Sequence, residues 1–310
     1  MDLSPLQSQL VNLKTQKNAV ILAHYYQRPE IQQIADHVGD SLELSRKASE
    51  SIAEILVFCG VHFMAETAKI LNPNCKVLIP DLEAGCSLAD SCAVLDFVQM
   101  RKSHPDHLAV SYINCSAEIK AHSDYICTSS NAVKIINSFP RDQKIIFAPD
   151  RNLGEYLIRE TGREMVLWDG ACAVHEAFSV QKLIELVQSY PSAKILAHPE
   201  SKSEILKIAH FTGSTSAMIR YITESSADKF LIGTEAGILH QMKELAPEKT
   251  LIPIPTKEDT TCACSECAYM KVNTLQKVLQ CLETESPEII LDPLVSSLAL
   301  VPIRRMLQLS

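Results

Sequence analysis

The tetrapeptide Ile21-Leu22-Ala23-His24 returns verbatim as Ile195-Leu196-Ala197-His198, and residue 198 less residue 24 is 174, twice 87. Half-way, near residue 111, stands Ala109-Val110-Ser111-Tyr112, a third apolar run that ends in polar side chains. The same step relates Ser41 in Gly39-Asp40-Ser41, Ser129 in Thr128-Ser129-Ser130 and Ser214 in Gly213-Ser214-Thr215. It also relates apolar runs beginning near 55, 145 and 230, and others near 77, 166 and 251. Several features held in one register mark a triplicated chain, and a triplicated chain has to fold as three similar units.

The units read as α/β. Short β-type runs such as Ala19–Ala23, Ile55–Cys59, Ile145–Ala148 and Phe230–Ile232 alternate with longer helix-period segments. That alternation predicts parallel sheets with helices on both faces. The expected fold is three similar αβα domains, residues 1–103, 104–190 and 191–270, arranged with pseudo-threefold symmetry. The tail from Lys271 reads as helices interrupted by Pro287 and is expected to pack back on the first domain. No linker is rich in Gly or Ser, so the units should lie tightly against one another.

A net charge of −8 speaks against a nucleic-acid partner, because phosphate backbones recruit basic surfaces. Met1 to Leu10 lacks the apolar centre of a signal peptide, and no apolar run approaches the roughly 20 residues of a membrane span. A cytoplasmic protein without a membrane partner is expected. Its eleven cysteines are odd in number and irregularly spaced, which suits metal binding, catalysis or core packing rather than a disulfide framework.

The register sorts those cysteines. In open α/β sheets functional groups gather beyond the carboxyl ends of strands, and the last strand of each unit leads to a cysteine. Val77–Ile79 leads to Gly85-Cys86-Ser87, and Val166–Trp168 to Gly170-Ala171-Cys172. Leu251–Ile254 leads to Cys262-Ala263-Cys264-Ser265-Glu266-Cys267. One thiolate from each unit gives a three-cysteine site, which cannot close a structural zinc centre but can hold an iron–sulfur cube with one iron open to substrate. In the last run Cys267 is the favoured ligand; Cys262 and Cys264 are bystanders, a redox pair or alternative ligands. Cys59, Cys75, Cys92, Cys115, Cys127 and Cys281 lie in apolar runs or helices and are expected in the core.

At this point the residues resemble the quinolinate synthase family. The resemblance rests on Gly60-Val61-His62-Phe63-Met64-Ala65-Glu66-Thr67-Ala68-Lys69, on Pro80-Asp81 and on Ala84-Gly85-Cys86-Ser87-Leu88-Ala89-Asp90-Ser91-Cys92. Ala23-His24-Tyr25-Tyr26-Gln27, Gly39-Asp40-Ser41-Leu42-Glu43-Leu44, Tyr112-Ile113-Asn114, Cys127-Thr128-Ser129, His198-Pro199-Glu200 and Gly213-Ser214-Thr215-Ser216 extend it over nearly the whole chain. It implies three αβα domains about a central 4Fe–4S cluster, one per chain, held by Cys86, Cys172 and Cys267. It implies a reaction of iminoaspartate with dihydroxyacetone phosphate that gives quinolinate, phosphate and water on the way to NAD. Functional coupling to an aspartate-oxidising enzyme would follow. The Cys-x-Cys-x-x-Cys run departs from the Cys-x-x-Cys-x-x-Cys of many relatives, and the tighter pair would strain a disulfide.

The remaining site residues follow from position and chemistry. His24 and His198 end the identical strands, and His198-Pro199-Glu200 sets a carboxylate beside an imidazole as an acid–base pair. Tyr26 and Tyr112 are expected to face the triose oxygens, with strand-end burial as the competing account. Asn114 is expected to contact a carboxylate or carbonyl. Ser41, Ser129, Ser214 and Thr215 sit where helices should begin and are candidates for holding phosphate or carboxylates, with plain N-capping as the alternative. Glu66 is expected to serve as a buried partner for Lys69 or a neighbour. Competing functions are a different iron–sulfur hydro-lyase, a zinc-stabilised scaffold, and an iron- or redox-sensing binding protein with a labile three-cysteine cluster.

Overall fold

A computed structural model describes residues 3–257 and 265–310. Within them, three four-stranded parallel sheets share one topology. The first holds β1 (Ala19–His24), β2 (His37–Gly39), β3 (Ile55–Cys59) and β4 (Lys76–Leu78) in the order β2-β1-β3-β4. The second repeats it with β5 (His107–Tyr112), β6 (Tyr125–Cys127), β7 (Lys144–Ala148) and β8 (Val166–Leu167) as β6-β5-β7-β8. The third is β10-β9-β11-β12, from β9 (Lys194–Ala197), β10 (Phe211–Thr212), β11 (Lys229–Gly233) and β12 (Thr250–Pro253). The three-unit α/β fold expected from the repeat is present.

Ladder register fixes which residues are equivalent. Ala23 pairs with Cys59, Ser111 with Ala148 and Ala197 with Gly233. His24, Tyr112 and His198 therefore occupy one position, and the uniform step of 87 misses the middle member by one residue. The central strand β3 is apolar along its whole length because helices cover both faces, and every one of its residues is buried.

The apolar cores tie the units together. One cluster joins Phe58, Met64 and Ile79 of the first unit to Ile126, Ile135 and Phe147 of the second, and continues into Ala299, Ile303 and Met306 of the last helix. The third sheet carries a core on each face, one around Leu231 and Ile254, the other around Phe230 and Met218. The tail divides. Helix Leu275–Thr284 packs on the first sheet with Leu10 and Ile21, and Ile289 N–H donates to the Val77 carbonyl at 2.8 Å. Helix Pro293–Gln308 crosses to the second unit and lies on helix Ala117–Ala121 and on β6. No helix among the described residues is long and apolar enough to cross a membrane.

Candidate active site

Chain reversal within each sheet opens a crevice beyond the carboxyl ends of its first and third strands. The three crevices face one cavity of about 310 Å³. His24, Tyr112 and His198 reach it from equivalent strand ends, and twelve of the thirteen expected site residues line it. The exception is Ser214, whose hydroxyl caps helix Thr215–Glu224 by accepting from the Ala217 N–H. N-capping, the alternative reading, holds for that residue. Ser41 opens helix Ser41–Glu50, but the cap there is Asp40, which accepts from the Leu42 and Glu43 N–H groups, both at 3.0 Å. Ser129 precedes its helix start by more than expected, since Asn131 is the cap residue of Ala132–Ser138.

The cysteines share a local structure that sequence spacing only hinted at. Cys86, Cys172 and Cys267 are each the N-cap residue, in extended backbone, of a four-residue helix: Ser87–Asp90, Ala173–Glu176 and Ala268–Lys271. Gly170 lets the second of these turns approach, because a Cβ there would sit 2.5 Å from the Pro149 carbonyl oxygen. All three cysteines line the cavity and none is in a disulfide. Burial pushes the Cys86 thiol up to about 12, the Ala89 N–H pulls it back, and Cys267 nearby adds to the rise. Burial likewise raises Cys172 well above its ordinary value and raises Cys267. Such thiols give up their protons to a metal centre rather than to water.

This donor set fits a polynuclear centre. Donors to a single ion must crowd together, and among the described residues the group tight enough is Cys172, His175 and Glu200, with donor atoms within 4.8 Å of one another. The three thiols instead come from three different units around one cavity, and a cluster of several metal ions accepts ligands spread in that way. Cys262 and Cys264 lie outside the described residues. Cys59, Cys75, Cys92, Cys115, Cys127 and Cys281 are buried, as expected.

Glu200 is the electrostatic centre. Its Oε2 lies 3.1 Å from both His198 Nδ1 and His175 Nδ1, and Asn114 Nδ2 reaches Oε1 at 3.4 Å. Burial works to raise its carboxyl, but the two imidazoles and the Tyr112 hydroxyl outweigh that and hold it below the ordinary carboxylate value. Asn114 Oδ1 is buried and meets no hydrogen-bond donor among the described residues. Burial takes His24 down to about 4, and its Nδ1 accepts the Tyr26 N–H at 3.1 Å, so a neutral ring presents Nε2–H to the cavity. Burial raises Tyr26 and Tyr112 well above the usual phenol value, so both remain protonated.

Several residues around the site were not foreseen. His175, three after Cys172, carries a Cys-x-x-His spacing that would put both side chains on one helical turn; burial takes it to about 4. Glu235 accepts from the Cys267 N–H at 3.0 Å and pairs with Lys271 at 3.1 Å, and burial raises it to about 7 against that cation. Asp40 Oδ2 accepts from Ser130 Oγ at 2.7 Å and Ser216 Oγ at 2.8 Å, one hydroxyl from each of the other units. Glu66 serves a neighbour rather than Lys69: its Oε2 accepts from the Ala117 N–H at 2.9 Å, and Lys69 pairs with Glu288.

Three parallel α/β units that each deliver one cap cysteine to a shared cavity, with a histidine-clamped carboxylate beside Cys172, define a three-lobed type of enzyme. The family model for quinolinate synthetase A protein matches residues 8–308. Quinolinate synthase from a Synechocystis strain is 58% identical over 299 residues, 96% of this chain and 93% of that protein. The enzyme of the same name from a Synechococcus strain is 56% identical over 98% of this chain and 95% of its own length. That from Chloroherpeton thalassium is 55% identical over 97% and 94%. The chain belongs to the quinolinate synthetase A family and is an enzyme of that family.

Proposed function

We propose that this enzyme condenses iminoaspartate with dihydroxyacetone phosphate to give quinolinate, phosphate and water, in the cytoplasm. The observation that carries the reading is the family match over residues 8–308, together with the cavity that unites the expected side chains. Each of the three units, taken as residues 1–103, 104–190 and 191–270, would contribute one ligand to a 4Fe–4S cluster: Cys86, Cys172 and Cys267. When bound, such a cluster supplies a Lewis-acidic iron for the departure of a substrate hydroxyl.

The chain's own residues bind the anions and move protons. Ser41, Ser129 and Thr215 offer hydroxyls to phosphate and carboxylate groups, and the turns that begin helices Ser41–Glu50 and Thr215–Glu224 face the same space. Thr215 depends on Ser214, which caps its helix. His24 Nε2–H and the Tyr112 hydroxyl donate to carbonyl or hydroxyl oxygens, and Tyr26 contacts the triose. Asn114 Oδ1 accepts from a substrate N–H or O–H. Glu200 takes a proton at Oε1 during enolisation and imine formation, while His198 holds Oε2. Iminoaspartate is a hydrolysable imine, so an aspartate-oxidising enzyme is the proposed functional partner. Anaerobic, iron-loaded protein given both substrates should form quinolinate, detectable by chromatography. Consumption of neither substrate under those conditions would end this reading.

A further inference from the structure

A line of side chains in polar contact crosses all three units along the cavity wall. Tyr26 Oη lies 2.6 Å from Thr234 Oγ1, which lies 3.0 Å from His175 Nε2. His175 Nδ1 is 3.1 Å from Glu200 Oε2, the oxygen that His198 Nδ1 also meets at 3.1 Å. His198 Nε2 ends the line 3.1 Å from Ser129 Oγ. Tyr26, His175, Glu200, His198 and Ser129 border the cavity, whereas Thr234 is fully buried and does not.

The donor and acceptor inventory gives this line a direction. A carboxylate only accepts, so His175 donates through Nδ1 and its Nε2 becomes an acceptor. His175 Nδ1 also lies 3.2 Å from Cys172 Sγ, an acceptor too when it is a thiolate, which leaves the tautomer unchanged. Thr234 must therefore give its proton to His175 Nε2, and its lone pair takes the proton of Tyr26. Only a hydroxyl can do both at once. The third sheet alone supplies one there. Ladder register makes Thr234, just after β11, equivalent to Gly60 after β3 and Pro149 after β7, neither of which has a polar side chain. Thr234 is absent from the cavity wall, so its effect passes through its neighbours.

We propose that Thr234 is a positioning residue for the reaction: it turns the Tyr26 proton inward, presents that oxygen to substrate as an acceptor, and locks His175 in the tautomer that clamps Glu200. This rests on the assignment of Tyr26 and Glu200 to the reaction proposed above. The test compares T234V, T234A and T234S as iron-loaded enzymes, measuring kcat and KM for both substrates alongside iron content and melting temperature. T234V and T234A, one isosteric and one smaller, should lose about 30-fold or more in kcat with KM nearly unchanged, as misplacement of catalytic groups does. T234S, which keeps the hydroxyl, should restore kcat to within about threefold of the parent. A hydroxyl-free variant that folds, holds iron and turns over at the parent rate overturns the proposal, and so does T234S falling as far as T234A. Quinolinate formation by the unaltered protein is the control: its absence ends the functional reading, whereas its presence with an undiminished T234V ends this inference alone.

Discussion

Glu200 and His24 show how burial and partners set protonation one side chain at a time. Glu200 has two imidazoles on one oxygen and stays ionised in a site where burial alone would neutralise it. His24 has no such anchor, and burial leaves it neutral, with a folded value of about 4 against an ordinary 6.5. Between those values the unfolded chain binds a proton that the folded chain refuses, so the histidine's contribution is complete above pH 6.5 and declines as pH falls toward 4. Thermal melts of the parent and H24Q across pH 4–8 should show the parent losing ground relative to the variant on acidification; parallel curves would contradict that. The sequence made His24, Tyr112 and His198 legible because strand ends of a repeat must coincide in space. His175 carried a weaker signal, its spacing from Cys172. Thr234 carried none, since its importance lies in its equivalence to Gly60 and Pro149, which pairing alone reveals.

Short elements were the hardest to read. The edge strands β2, β6 and β10 have three, three and two residues, too few for any alternation to register, yet each delivers a turn to the cavity. The cysteine turns posed the same problem, because four residues hold barely one helical turn. Asp40, between β2 and helix Ser41–Glu50, gathers the most from one such junction: two backbone N–H groups on one oxygen and two hydroxyls from the other units on the second. D40A should therefore cost about 2 kcal/mol, at the upper end for a helix cap. D40N, which keeps an acceptor for the cap, should cost less. Guanidinium denaturation of the two variants gives both values, and equal midpoints for D40A and the parent would contradict this role.

At the scale of the whole molecule, the repeat dictated three sheets and their shared centre, but not the path of the tail. Helical periodicity says which face of a helix is apolar and not which neighbour covers it. The last helix fits on the second unit because Ala299, Ile303 and Met306 complete a core begun by Ile126 and Cys127, and Arg305 donates to the Asp124 carbonyl at 2.8 Å. The chain end thereby links the first unit to the second. I303A should destabilise the protein by about 3 kcal/mol, as deletion of a fully buried side chain does. An unshifted denaturation curve would place that helix elsewhere.

Convergence of three units on one set of thiols is the claim from which the rest follows, and iron and sulfide content per chain tests it most directly. Protein isolated without oxygen should carry about four of each, as one cube requires, and replacement of Cys86, Cys172 or Cys267 by alanine should deplete both in every case. A single one of these replacements that leaves the iron and sulfide intact would contradict the account.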